Sequence, residues 1–201
     1  MATTIQRDYS LLGPEAARAE ERGLVGASWF KPEIDRRRMK ELMQRSDRRA
    51  LIDTALWLGL LVAFGAIGSW LFLQGSPWWI PVLVLGYGPL YGTAGDSRWH
   101  EAGHGTAFRT RWMNDVVYHI ACFMMVRSPT VWRWSHTRHH TDTIIVGQDP
   151  EIITPRPPEI GRLVLNLFGL VDAPLAFGQM LRHAAGRIGP DERTYAVSYT
   201  H

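Results

Sequence analysis

Six of the eight histidines in this chain fall between positions 100 and 140, and five of them form two spaced clusters. The first is WHEAGHG, with His100 and His104; the second is WSHTRHHTD, with His136, His139 and His140. On a helix, positions i and i+4 share a face, and so do i, i+3 and i+4, so each cluster aims its imidazoles at one point. Neutral imidazole is the commonest nitrogen ligand for zinc, iron or copper, and five coaligned imidazoles exceed what one structural zinc requires. A lone histidine on an apolar face is most often a satisfied core residue. That bland reading suits His119, which stands in an apolar run without a spaced partner. His183, near Arg182 and Arg187, reads as a solvated interfacial residue, and His201 is the last residue.

WHEAGHG also satisfies HExxH, in which His100 and His104 would bind zinc and Glu101 would act as the general base of a membrane zinc metallopeptidase. That reading leaves His136, His139 and His140 without a purpose, and Gly103 and Gly105 weaken the long helix on which HExxH normally sits. A non-enzymatic metal or haem carrier is a third reading, although no CxxCH attachment motif occurs. Histidine ligands usually donate their second ring N–H to a carboxylate or carbonyl, which makes Asp96, Asp142 and Asp149 candidate partners. Each of the three serves equally well as a helix cap or turn residue.

The elements that must position these residues are set by hydropathy. From Thr54 to Gly95 there is no Asp, Glu, Lys or Arg, so the 22 basic and 19 acidic residues all lie outside a stretch long enough to cross a bilayer twice. Thr54–Leu73 predicts one spanning helix. After the Gln74–Pro77 turn, Trp78–Ala94 predicts a second, kinked at Pro81, Gly86, Gly88 and Pro89. Trp57 and the group Trp70, Trp78 and Trp79 mark the two ends of this hairpin, where indoles favour the headgroup region. Eight basic residues between Lys31 and Arg49, against none in the Gln74–Pro77 turn, place the N-terminus and the histidine clusters in the cytoplasm by the positive-inside rule.

The flanks are less regular. The first 49 residues carry no secretory signal pattern. Residues 1–27 read as poorly ordered, and Pro32–Arg49 reads as a basic amphipathic helix, suited either to an anionic membrane face or to docking on the protein's own body. Val116–Val126 is too short to span and belongs in or under the interface. Leu163–Leu181 is long enough, but Asp172 and Pro174 at its centre favour an interfacial or re-entrant helix. The net charge of +3 is too small and dispersed for a nucleic-acid partner, and the single cysteine, Cys122, excludes an intrachain disulfide. The resulting organisation is a cytosolic N-terminal segment (1–49), a transmembrane hairpin (50–95), a cytosolic histidine region (96–160) and an interfacial or third membrane segment (161–201).

The elements DSRWHEAGHGTAF and WRWSHTRHHTDTIIVGQDPEI, about thirty residues apart after a hydrophobic hairpin, resemble the first two histidine boxes, HxxxH and HxxHH, of the integral-membrane fatty acid desaturase family. The resemblance covers roughly residues 30–200. It implies an all-α integral membrane helical bundle with cytosolic histidine-box helices. It also implies a centre of two non-haem iron ions held almost wholly by histidines, with His100, His104, His136, His139 and His140 as ligands and no catalytic residue beyond them. The implied reaction uses dioxygen and two electrons to introduce a double bond into an acyl chain carried as an acyl-lipid or acyl-thioester; the same chemistry serves a related di-iron hydroxylase.

No flavin, haem or iron–sulfur motif occurs, so electrons are expected from a separate ferredoxin, rubredoxin or cytochrome-type donor. Arg109, Arg111, Arg133 and Arg138 suit either an acidic donor or lipid phosphates. The family's third histidine box, which follows a second hairpin, has no counterpart after His140. The chain is therefore expected to be the N-terminal part of a longer desaturase-like protein, truncated relative to the family pattern and inactive by itself.

Overall fold

The computed structural model describes residues 8–28, 30–152, 156–166 and 168–195, with the side chains of Gly95 and Asp96 outside that description. It is helical, with no strand among the described residues. The chain divides into two compact units, one built from residues 1–32 and 126–201 and the other from residues 33–125.

In the first unit, α1 (Pro14–Glu21) buries Ala16 and Ala19, with Leu11 buried just before it. Residues 8–27 are thus more structured than their scattered charges suggest. The cause is tertiary: Gln148 donates to the Ala16 carbonyl at 3.3 Å, and Gly147, at φ +82°, lies so close to the Glu15–Ala16 backbone that no Cβ fits there.

The unit of residues 33–125 begins with α2 (Arg36–Leu42), whose first turn is capped by Asp35 accepting from the Arg38 N–H at 3.0 Å. The expected single helix over Pro32–Arg49 is interrupted after Leu42. α3 (Asp47–Leu73) then starts well before the apolar run, taking Arg48, Arg49 and Asp53 into its first turns. Hydropathy marks where the hydrocarbon core begins and is blind to helix extending beyond it. At 1.5 Å per residue, α3 is about 40 Å long. Among the described residues it is the one helix long and apolar enough to cross a membrane. Only Trp57, Leu61 and Gly68 along it are buried, whereas Leu56, Val62, Ile67, Trp70 and Phe72 face outward. In lipid that apolar exterior needs no cover.

The second apolar stretch pairs antiparallel with α3. It is broken, as its prolines and glycines predict, into α4 (Trp79–Pro81), a π-helical segment (Val82–Tyr87), α5 (Gly88–Gly92) and a second π-helical segment (Ala94–Arg98). Two glycines set the approach: a Cβ on Gly68 would overlap Leu83, and one on Gly86 would overlap Phe64. Near the other end the Trp57 indole donates to the Leu90 carbonyl at 2.9 Å, satisfying a backbone group at a kink.

The stretch continues without a break into α6 (Trp99–Gly103), which packs on α7 (Arg111–Met124). The turn between them is closed by buried Asn114, which accepts from the Phe108 N–H at 2.9 Å and donates to its carbonyl at 3.0 Å. Asp47 ties the start of α3 to the start of α7, accepting from the Thr110 N–H at 2.9 Å and its hydroxyl at 2.8 Å. These bonds hold the Asp47 carboxyl below its usual range.

The rest of the first unit comprises α8 (Pro129–Asp142), α9 (Ile160–Asn166), α10 (Asp172–Ala184) and α11 (Pro190–Arg193). Leu163–Leu181 is therefore not one continuous helix. Asp172 is satisfied where the chain breaks, by Arg162 at 2.7 Å and by the Asn166 side chain.

Candidate metal centre

The first histidine pair sits at α6, the last turn of that helical stretch, with His104 as its C-cap residue, and the ring centroids of His100 and His104 lie 4.9 Å apart. Buried Trp99 and Ala102 anchor this turn, and Trp99 packs on the buried Tyr118 ring of α7 at 6.3 Å. Gly103 also abuts Tyr118, so the glycine that weakens the helix is what lets it approach α7. Glu101 points elsewhere. Together with Arg45, Arg49, Asp53 and Arg98 it lines a cavity of about 330 Å³, and Arg98 pairs there with Asp53 while its guanidinium stands 5.5 Å above the Trp57 ring.

The second cluster rides on α8, which Pro129 opens at a position where its missing N–H costs nothing. Ring centroids lie 4.6 Å apart for His136 and His140, 5.7 Å for His136 and His139, and 5.8 Å for His139 and His140. The Nε2 atoms of His136 and His140 are 3.1 Å apart. With metal–nitrogen bonds of about 2.1 Å, two ligands at roughly a right angle on one ion stand about 3 Å apart, so the spacing fits a shared ion.

The loop after α8 folds back to hold these rings from behind. His136 Nδ1 meets Glu151 at 2.8 Å, and His139 Nδ1 meets both oxygens of Asp149 at 2.9 Å. A carboxylate only accepts, so each Nδ1 carries a proton; the neutral ring then presents its lone pair at Nε2, the tautomer a metal ligand requires. Asp149 is itself fixed, its side chain 1% exposed and accepting from the backbone N–H of Ile144 and Glu151 at 2.8 Å each. Glu151 also accepts from the Ser135 hydroxyl at 2.8 Å.

Among the three aspartates singled out in the sequence, Asp149 meets a histidine, Asp142 lies 3.5 Å from Arg138, and the side chain of Asp96 lies outside the described residues. Glu151 was missed, although the carboxylate two residues past Asp149 in GQDPEI was a usable signal. Arg138 is engaged by Asp142, Gln148 and Thr194, which removes it from the set of docking cations.

His119 and His183 make local contacts. His119 Nδ1 bonds the Asp115 carbonyl at 2.7 Å within α7. His183 is not solvated: its side chain is 9% exposed and its Nε2 lies 2.9 and 3.0 Å from the two oxygens of Glu192. Burial works to raise the Glu192 carboxyl, but bonds from His183, the Gly189 N–H and Gln179 outweigh it and hold the group below its usual value. Cys122 is buried, and His201 lies outside the described residues.

Comparison with known proteins places these clusters. Residues 76–198 match the family model described as fatty acid desaturase. The chain is 32% identical over 89 residues to the sn-1 oleoyl-lipid 12-desaturase of Synechocystis sp., covering 43% of this chain and 25% of that protein. It is 29% identical over 101 residues to the ferredoxin-type sn-1 acyl-lipid omega-3 desaturase of Nostoc sp., covering 47% and 24%. It is also 29% identical over 114 residues to the sn-1 oleoyl-lipid 12-desaturase of Anabaena variabilis, covering 55% and 30%. The matched regions thus span 24–30% of these relatives' length. No solved structure matches significantly. Because the family match covers more than half of the chain and takes in both histidine clusters, the chain belongs to the fatty acid desaturase family.

Proposed function

We propose that this chain carries the first two histidine boxes of a membrane acyl-chain desaturase, with His100, His104, His136, His139 and His140 as ligands to two non-haem iron ions. The observation that carries the reading is the carboxylate support behind α8. Glu151 and Asp149 keep a proton on Nδ1 of His136 and His139 and so aim two Nε2 lone pairs at a common side of the helix. All-nitrogen donors with open positions suit iron that must react with dioxygen. Bound there, the irons supply the oxidising power to remove hydrogen from an unactivated methylene. The balanced reaction takes one saturated CH2–CH2 unit, dioxygen, two electrons and two protons to one CH=CH unit and two waters.

The protein's part is to hold the imidazoles in one tautomer and to keep the site at a membrane face where an insoluble acyl chain is available. The relatives' names favour an acyl-lipid over an acyl-thioester, and one of them names ferredoxin as donor. Rubredoxin and cytochrome-type donors are the alternatives. The basic N-terminal segment puts both boxes on the cytoplasmic side. Five imidazoles fall short of two iron coordination spheres, so the 201-residue chain by itself is expected to retain metal without turnover. The same ligands would serve a hydroxylase. The peptidase reading stays weaker, because Glu101 lines a cavity whose walls include neither His100 nor His104.

The test is metal analysis of the detergent-purified chain alongside acyl-lipid analysis of a host expressing the protein together with any segment its gene encodes beyond His201. Iron retained by the wild-type chain and lost on His136→Ala supports the reading, as does a new double bond in host lipids. One tightly held zinc, with loss on His100→Ala and indifference to His136→Ala, would sink it in favour of the peptidase.

A further inference from the structure

We infer that α2 is a docking element for an anionic phospholipid leaflet, an inference that rests on α3 spanning the membrane. No residue of α2 is buried. Met39, Leu42 and Met43 stand at i, i+3 and i+4, so they form one apolar stripe, and all three are exposed, as is Ile34 just before the helix. The protein's own body therefore does not cover this face. Ile34, Met39 and Met43 line an open groove of about 540 Å³ whose remaining walls are Arg36, Lys40 and Gln44.

The polar side of the helix is sorted by charge. Glu41 takes up Arg37 at 3.5 Å and Arg38 at 3.4 Å. Arg36 and Lys40 instead wall the groove beside Ile34, Met39 and Met43, where their stems extend the apolar surface and their charges reach headgroup phosphates. Between Arg36 and Arg49 there are seven basic side chains against two acidic ones, and only Met43–Ser46 separates α2 from the spanning helix. An apolar stripe edged by cations at that depth is complementary to acyl chains lying beneath anionic headgroups. A protein partner would need to bring its own acidic groove to the membrane plane.

The experiment places a solvent-sensitive fluorophore at Met43→Cys in a Cys122→Ala background and measures iodide quenching in lipid nanodiscs. The nanodiscs contain phosphatidylcholine alone or with added phosphatidylglycerol. A second probe at Val62→Cys reports on α3. The expected result is a Val62 probe shielded in both lipids and a Met43 probe shielded only with phosphatidylglycerol. Arg36→Glu with Lys40→Glu should lower the docking equilibrium constant by at least about tenfold, since each basic residue near such a surface contributes about 1 kcal/mol. A Met43 probe open to iodide in both lipids, or shielded equally in both and indifferent to the charge reversal, overturns the inference. A Val62 probe open to iodide overturns the spanning reading instead.

Discussion

Glu151 and His136 are joined at 2.8 Å through the histidine Nδ1, and the second Glu151 oxygen is taken by the hydroxyl of Ser135, the residue next to the histidine on α8. One carboxylate thus fixes both the rotation of the imidazole and the nitrogen that bears its proton.

Replacing it is expected to weaken metal binding without unfolding the chain. Glu151→Gln can present its amide N–H to Nδ1 and so favours the wrong tautomer. The metal dissociation constant should rise about 10- to 100-fold, the usual effect of losing such a partner. Cobalt titration of the detergent-solubilised chain, followed by the visible bands of the bound ion, measures this. An unchanged affinity with an intact circular dichroism spectrum would contradict the assignment.

Asp149 should behave differently because it is also structural. Asp149→Ala leaves the part-buried Ile144 and Glu151 N–H groups without their acceptor, at about 1 kcal/mol each. The thermal midpoint should fall by several degrees and metal retention should fall with it. A drop in metal affinity at unchanged midpoint would show that these N–H groups find other partners.

The hairpin contact can be tested away from the metal. Gly68→Val drives a branched side chain into Leu83, and overpacking of this kind costs about 1–3 kcal/mol. Thermal aggregation in detergent should set in earlier, and the companion Leu83→Ala should restore much of the loss. Failure of the double variant to recover would place the defect elsewhere.

Acid should loosen the C-terminal helices first. Glu192 titrates below its ordinary 4.5 in the folded chain, so its contribution is fully present above 4.5 and is lost as pH falls through the lowered folded value. Hydrogen exchange over residues 179–195 should accelerate across that window in the wild type. In Glu192→Gln the acid-dependent step should be missing. A step of equal size in the variant would exclude Glu192 as its source.

The histidine spacings and the antiparallel pairing of the two apolar stretches could be read from the sequence because each depends on near neighbours: shared faces follow from helix geometry, and the apolar run from the absence of charge. The prolines and glycines of Trp78–Ala94 likewise announce a broken helix. What could not be read depends on residues distant in sequence. The α1 segment is held by Gln148 and Gly147, and the His183 environment is made by Glu192. The choice among carboxylates turned on how the loop after α8 folds back, which brings Glu151 to His136; the pairing of Asp142 with Arg138 one turn earlier on α8 is by contrast a local i,i+4 contact.

The π-helical segment Ala94–Arg98 runs directly into the turn that bears His100 and His104. Each residue added to or removed from a helix rotates everything after it by about 100°. The compass bearing of the first histidine pair is thus decided by how many residues that wide segment accommodates. A single-residue deletion there would preserve every side chain of the box and point both imidazoles at a different wall.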